Sequence, residues 1–137
     1  MTSEPEYVVV RSEPWPADHM ARLDRMLTMA KGWDSYDADP PSPAAVANAR
    51  EFVTVATDLG LPPDRVTPTC MGGVAVTFRE GDERCVQAFV EFYNRGTAYA
   101  LFSHNADEEM HTLQVTTDHQ GYVQFLCLLQ FLFKIAR

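Results

Sequence analysis

Positive charge is scarce in this chain of 137 residues. Lys and Arg number 11 against 19 Asp and Glu, which gives a formal net charge of −8. A nucleic-acid binder needs a basic face to displace counterions from phosphates, so the composition excludes nucleic acid as the expected partner. Docking on an anionic membrane surface is excluded for the same reason. If the partner is a protein, the charge favours one with a basic surface.

Cysteine is rare as well. The three cysteines, Cys70, Cys85 and Cys127, lie far apart, and an odd number predicts no disulfide framework. A reducing cytoplasm is therefore the expected compartment. No secretory signal is visible near the N-terminus, because the apolar run at 7–10 is too short for one.

Signatures of familiar catalytic and cofactor sites are missing too. The sequence has no G-x-S-x-G elbow, no P-loop, no dinucleotide-binding fingerprint and no C-x-x-C pair. We therefore expect no bound cofactor and no enzymatic activity. These absences favour a protein-interaction module as the class of function.

Two N-terminal segments repeat apolar residues at steps of three and four, which predicts two helices. The first runs from about residue 16 to a cap at Gly32, and the second covers about 44–59 with Ser42 as its N-cap. The last segment, 121–137, is apolar around most of a helical wheel and shorter than a membrane span. It is predicted to be a helix that is buried on most sides.

Between the helical segments the apolar period changes to two, which is typical of strands. The connections are too short for crossovers, so the strands should form an antiparallel meander. The sequence predicts a single α+β domain over 1–137, with a three- or four-stranded antiparallel sheet packed against two N-terminal helices and an apolar C-terminal helix. The predicted strands are 74–79, 84–93 and 97–103, with a fourth at 110–116.

The most unusual stretch, WDSYDADPPSP at 33–43, joins the first two helices, and its prolines exclude helix and interior strand. A second stretch, PTCMGGV, occupies 68–74. Together they resemble a pattern in small uncharacterised bacterial proteins, where a Trp-Asp-x-Tyr-Gly-Ala-x-Pro loop precedes a helix and a Pro-Thr-x-x-x-Gly-Gly-Val segment leads into antiparallel strands. The resemblance covers about residues 20–100 and implies a fold and an intact loop, with no known activity. Asp37 stands where the pattern has Gly, which implies a positive φ that Asp tolerates.

The residues singled out in this loop are Trp33, Asp34, Tyr36 and Asp37. We interpret the two aromatics as anchors that pack over the core. The alternatives are an exposed recognition surface and the wall of a ligand-binding pocket. The acidic residues, with Asp39, have the oxygens that a divalent cation prefers, but their spacing fits no calcium loop. The favoured interpretation is that one Asp accepts hydrogen bonds from nearby backbone amides and that no metal is bound.

The best candidates in the sequence for a metal site or an acid–base site are His104, His111 and His119. Their spacings of seven and eight match no compact zinc motif. The alternative function is a small metal-dependent hydrolase that uses the region of His104 and His111 with Asp107 and Glu108. Cys85 is interpreted as a structural residue rather than a nucleophile.

The C-terminal helix has more apolar surface than one sheet face is expected to cover, and a large exposed apolar patch usually marks an interface. We predict that part of this helix pairs with a second copy, as a homodimer, or with a different protein; a plain core helix is the alternative. The leading hypothesis is an acidic, non-enzymatic interaction module, such as an antitoxin, immunity or inhibitor protein or a subunit of a complex. The predicted interface residues are Phe125, Leu129, Phe131, Leu132 and Phe133.

Overall fold

The structure is a computed structural model, and it describes residues 15–80, 86–104 and 110–136. Over these ranges the chain forms an α+β fold with three helices and one five-stranded antiparallel sheet. In chain order the elements are α1 (Trp15–Met26), α2 (Pro43–Asp58), β1 (Arg65–Pro68), β2 (Val74–Glu80), β3 (Val86–Phe92), β4 (Ala98–His104), β5 (His111–Val115) and α3 (His119–Ala136).

Helix α2 begins and ends close to the predicted residues. The Ser42 Oγ accepts a hydrogen bond from the amide of Ala45 at 3.1 Å, and Pro43 occupies the first turn, where its missing N–H is not needed. After the last turn, Gly60 takes up a left-handed conformation with φ +71°. The cap residues therefore fix both ends of α2, as the sequence predicts.

Helix α1 ends at Met26, well before the predicted cap at Gly32. The Thr28 hydroxyl donates to the carbonyl of Arg25 at 2.8 Å, and the amides of 27–29 each bond to the carbonyl three residues earlier. These tighter bonds mark the end of the regular helix. Gly32, with φ +82°, instead opens the loop that follows.

The five strands follow one another across the sheet in sequence order, and every neighbouring pair is antiparallel. Strands β2 to β5 confirm the predicted meander, including its fourth strand. The additional strand is β1, which is four residues long and ends in Pro68. So short a segment has no clear alternation, and proline is tolerated there because β1 lies at the edge of the sheet.

The core lies between one face of the sheet and the helices. Alternate strand residues such as Val76 and Val90, which are register partners, face α2 and α3 and are fully buried. Helix α1 packs beside β1, where the His19 Nε2 donates to the carbonyl of Pro63 at 3.1 Å. Phe52 of α2 lies at the centre of the core. Its ring contacts the rings of Phe78, Phe92, Tyr122 and Phe125.

Helix α3 contributes more to this core than predicted. Phe125, Leu129, Leu132 and Phe133 are all buried within the chain. Because α3 packs against α2 as well as against β3 and β5, its apolar surface is covered from two sides. Of the five predicted interface residues, only Phe131 is exposed, at 59%. The predicted interface is therefore corrected for the other four, which belong to the chain's own core.

Tyr122 supplies a test of this core. Its side chain is fully buried, and its hydroxyl has no hydrogen-bond partner among the described residues. Burial raises the pKa of the hydroxyl well above its ordinary value of 10.0, and the nearby charges of Glu51 and Asp118 raise it further. The neutral phenol is thus favoured in the folded state, and folding stability is lost as the pH rises above the pKa of the unfolded tyrosine.

We expect Tyr122→Phe to stabilise the fold by about 1 kcal/mol at neutral pH, because it removes an unsatisfied buried hydroxyl. We also expect it to reduce the loss of stability above about pH 10. Urea unfolding at several pH values measures both effects. Destabilisation of more than about 1 kcal/mol by this change would mean that the hydroxyl has a partner that holds it.

Candidate functional site

The loop at 33–43 is organised by Asp34. Its Oδ1 accepts hydrogen bonds from the amides of Tyr36 at 2.9 Å and Ala38 at 3.1 Å. The prediction that one aspartate binds nearby amides is confirmed. The turn places Ser35 and Asp37 in the left-handed region, with φ values of 71° and 72°. Asp37 therefore has the positive φ that its place in the motif implies.

The two aromatic residues of the loop behave differently. Trp33 is half-buried, and its Nε1 donates to the carbonyl of Asp39 at 2.8 Å, so this residue closes the loop. Tyr36 is 87% exposed. The prediction that Tyr36 anchors the loop to the core is wrong, because the Asp34 turn places Tyr36 at the tip between two left-handed residues.

The acidic residues of the loop lie beside a lysine. The Lys31 Nζ lies 3.3 Å from the Asp39 Oδ1 and 3.9 Å from the Asp37 Oδ1. These side chains are exposed, so the pairing contributes little to stability. Among the described residues, no group of three or more His, Cys, Asp or Glu side chains is placed to hold a metal ion.

The two motifs found in the sequence form one structural unit. The PTCMGGV segment is the turn between β1 and β2, and it lies against the loop at 33–43. The amide of Asp39 donates to the carbonyl of Cys70 at 3.4 Å, and the amide of Ser42 donates to the carbonyl of Gly72 at 3.0 Å. Asp39 also forms a parallel bridge with Met71. The two motifs are therefore neighbours in space, although they are about 30 residues apart in the chain.

The turn between β3 and β4 joins the same assembly. The Ser42 hydroxyl donates to the carbonyl of Asn94 at 3.2 Å, and the Asn48 Nδ2 donates to the carbonyl of Gly96 at 3.4 Å. Inside this turn, the amide of Tyr93 donates to the carbonyl of Thr97 at 2.8 Å. We call the loop at 33–43 and the turns at 68–74 and 93–97 the joined turns, and they fix one end of the sheet.

The face of the sheet opposite the core has an unusually apolar centre. Strand alternation places large side chains of β3 and β4 there, and Tyr99 and Leu101 are each 40% exposed. They border a shallow groove of about 290 Å³, which we call the aromatic groove. The groove adjoins the joined turns through Tyr93. Its lining consists of Phe89, Glu91, Tyr93, Tyr99, Leu101 and Thr112.

The geometry of the aromatic groove follows from the strand register. Glu91 lies opposite Tyr99, and Phe89 lies opposite Leu101. The rings of Tyr93 and Tyr99 meet edge-on, with centroids 5.7 Å apart and an interplanar angle of 64°. The groove therefore has a carboxylate beside two phenol rings at one end and an apolar pair at the other.

The electrostatics of the groove favour a cation. Partial burial raises the pKa of Tyr93, and the neighbouring Glu91 carboxylate raises it further. The faces of aromatic rings attract cations through their quadrupoles, and a carboxylate adds a direct charge. An organic cation such as an arginine or lysine head group therefore matches the chemistry of this groove.

The sequence contains a signal for this groove, which is the presence of large apolar side chains on both faces of the predicted strands. Strand prediction uses only the alternation of the core face. Phe89, Tyr99 and Leu101 occupy the alternate positions of β3 and β4 that a solvated face would give to polar residues, and Tyr93 continues the alternation just after β3. Large apolar side chains at those positions indicate an exposed apolar surface.

The predicted histidine set is only partly described. The ring of His111 is exposed and stacks on Phe102 with centroids 5.3 Å apart, whereas His119 is the first residue of α3. The side chain of His104 and residues 105–109 lie outside the described residues, as does Cys85. The hydrolase alternative therefore stays a prediction. Cys70 and Cys127 are exposed and form no disulfide.

Comparison with known proteins adds no family to this description. No family model, no curated protein and no solved structure matches the chain. The resemblance of the two motifs to small bacterial proteins thus stays a prediction. In the described part of the chain, no helix has the length and hydropathy needed to cross a membrane.

Proposed function

We propose that this chain is a non-enzymatic protein-interaction module that binds a basic segment of a partner protein in the aromatic groove. The observation that carries the proposal is the groove itself, where Glu91 lies among aromatic rings on a sheet face that the helices leave open. An apolar groove that contains a few polar groups is typical of a recognition site.

The chemistry of the groove favours an arginine over a lysine. A guanidinium group is planar, stacks on aromatic rings and forms paired hydrogen bonds with a carboxylate. At the Tyr93 end it would meet the Glu91 carboxylate and the faces of the phenol rings. The apolar end, at Phe89 and Leu101, would accept an aliphatic side chain of the same segment.

Long-range charge supports the same partner. A net charge of −8 attracts a basic protein before contact and accelerates the encounter. A module of this kind acts by covering a basic surface, as an antitoxin, an immunity protein or an inhibitor does, or as a subunit that holds a basic neighbour in a complex.

The joined turns have a positioning role in this proposal. Ser42 ties α2 and the β1–β2 turn to the backbone of Asn94, the residue after Tyr93. A side chain held in place before binding loses less conformational entropy on binding. The motifs thus stabilise the end of the groove that recognises the cation.

The test uses a short peptide that alternates arginine with valine and is blocked at both ends. Isothermal titration calorimetry compares it with the same peptide in which uncharged citrulline replaces arginine. We expect Glu91→Gln and Tyr99→Ala each to weaken binding of the arginine peptide about tenfold, because they remove the carboxylate and one ring. The citrulline peptide should bind weakly to every variant.

Two matched controls separate the groove from general charge. Glu51→Gln removes one carboxylate from the exposed side of α2, and Tyr36→Ala removes one exposed ring from the loop tip. Neither should change the affinity more than about twofold. If Glu51→Gln weakens binding as much as Glu91→Gln, the peptide recognises net charge and the groove is not the site.

A further inference from the structure

A second cavity lies where α1 packs beside the edge strand β1. Its volume is about 310 Å³, and it shares no residue with the aromatic groove. We call it the arginine pocket, because α1 and β1 each contribute one arginine to its wall. Its lining consists of His19, Arg22, Asp64, Arg65, Val66 and Thr67.

The two arginines of this pocket have no acidic partner. In the part of the chain that the structure describes, neither Arg22 nor Arg65 forms an ion pair, whereas Lys31 and Arg50 each pair with an aspartate. This is unexpected in a chain with 19 Asp and Glu against 11 Lys and Arg. Guanidinium groups donate paired hydrogen bonds to the oxygens of phosphate and carboxylate groups. Two unpaired guanidinium groups at one cavity therefore favour an oxyanion as the ligand.

The imidazole of His19 is a fixed part of the wall. Its Nε2 donates to the carbonyl of Pro63 at 3.1 Å, and its ring lies 6.1 Å from the ring of Trp15, centroid to centroid. The residue is only 8% exposed, and its Nδ1 has no hydrogen-bond partner among the described residues. Because a carbonyl only accepts, the proton is on Nε2, and Nδ1 of the neutral ring is an acceptor. A buried polar atom without a partner is rare, and beside a cavity it indicates a polar ligand.

Asp64 determines which oxyanion fits the pocket. Its carboxylate repels an anion whose oxygens carry no proton, and it accepts a hydrogen bond from an anion that has an O–H group. Inorganic phosphate keeps a proton near neutral pH, so it offers bare oxygens to the arginines and an O–H group to Asp64. Sulfate and acetate have no such proton at that pH.

We propose that the arginine pocket binds inorganic phosphate, with Arg22 and Arg65 donating to its bare oxygens and Asp64 accepting its O–H group. The pocket is large enough to hold the ion together with several water molecules. The net charge of −8 repels anions at long range, so binding depends on these direct contacts. The proposal does not depend on the function proposed for the aromatic groove.

Titration of the ¹⁵N-labelled protein with inorganic phosphate at neutral pH and constant ionic strength tests this site. We expect saturable shifts of the amides of Arg22, Arg65 and Thr67, and about tenfold weaker binding of sulfate and of acetate. Arg22→Gln and Arg65→Gln should each weaken phosphate binding about tenfold. Arg95→Gln, at an exposed residue of the turn between β3 and β4, is the matched control and should change it less than about twofold.

Asp64→Asn tests the choice of anion. An asparagine amide donates to a bare oxygen and removes the repulsion, so this change should tighten sulfate binding about tenfold and abolish the preference for phosphate. Circular dichroism of each variant confirms that the fold is retained. Methyl phosphate separates free phosphate from a phosphate ester. Its second pKa is about 6, so it has little O–H left at neutral pH and should bind no more tightly than sulfate.

Several results would overturn the proposal. Shifts that grow without saturation would mean that no phosphate site exists. Wild-type binding of sulfate, acetate or methyl phosphate as tight as that of phosphate would mean that Asp64 does not select the ligand. An equal loss in Arg95→Gln and Arg65→Gln would mean that the ion responds to general charge. Binding of the arginine peptide should be the same in Arg22→Gln as in the wild type, so this proposal and that for the groove fail separately.

Discussion

Phe52→Ala is expected to destabilise the fold by about 4 kcal/mol, because replacing a buried phenylalanine by alanine removes apolar contacts and leaves a cavity. The side chain of Phe52 is fully buried at the point where α2, α3 and the sheet meet. Few rearrangements can fill the space, since the neighbours are themselves large rings. The ring centroids lie 5.3 Å away for Phe92, 5.4 Å for Tyr122, 5.9 Å for Phe78 and 6.2 Å for Phe125.

Urea denaturation monitored by circular dichroism measures this effect. Tyr36→Ala is the matched control, because it removes an aromatic ring that is exposed at the tip of a loop. That change should cost less than about 0.5 kcal/mol. Equal losses in the two variants would contradict a core centred on Phe52.

The second large effect is expected at Gly73, where a change to alanine should cost about 3 kcal/mol of folding stability. A Cβ atom at this position would overlap the carbonyl oxygen of Phe92 in the neighbouring strand, and it would also press on the Thr69 hydroxyl. The Gly73 amide donates to that hydroxyl at 3.0 Å. Because the overlap is with backbone, β2 and β3 would have to move apart.

Gly60→Ala is the control for Gly73→Ala. Gly60 has φ +71°, and no atom lies within 4 Å of the position that a Cβ would take, so alanine there costs only the left-handed conformation, about 1 kcal/mol. We also expect Gly73→Ala, but not Gly60→Ala, to weaken binding of the arginine peptide, because Gly73 lies beside Phe92, the residue before Tyr93. Equal unfolding free energies for the two variants would contradict the close approach at Gly73.

Local signals in the sequence predict much of the fold. Ser42 and Pro43 mark the start of α2 because capping depends on neighbouring residues alone. The alternation around Val76 and Val90 predicts β2 and β3 for the same reason. The early end of α1 leaves no periodic pattern in the sequence. Strand β1 leaves none either, because it depends on pairing with β2.

The candidate site is less predictable because its parts are far apart in the chain. The bonds from Ser42 to Gly72 and to Asn94 join segments that are about 30 and 50 residues apart, so neither motif alone indicates the assembly. Periodicity likewise identifies the two faces of a strand without saying which face the helices cover. The apolar content of α3 leads to the prediction of an interface. The sequence pattern does not show that α2 covers most of this apolar surface, because that burial depends on tertiary packing.

Amide chemical-shift mapping of the ¹⁵N-labelled protein during titration with the arginine peptide tests the proposed recognition site most directly. The proposal predicts saturable shifts in β3 and β4 around Glu91, Tyr93 and Tyr99, which disappear in Glu91→Gln and are absent with the citrulline peptide. Shifts confined to α1 or to the loop at 33–43, or shifts that Glu91→Gln leaves intact, would contradict it.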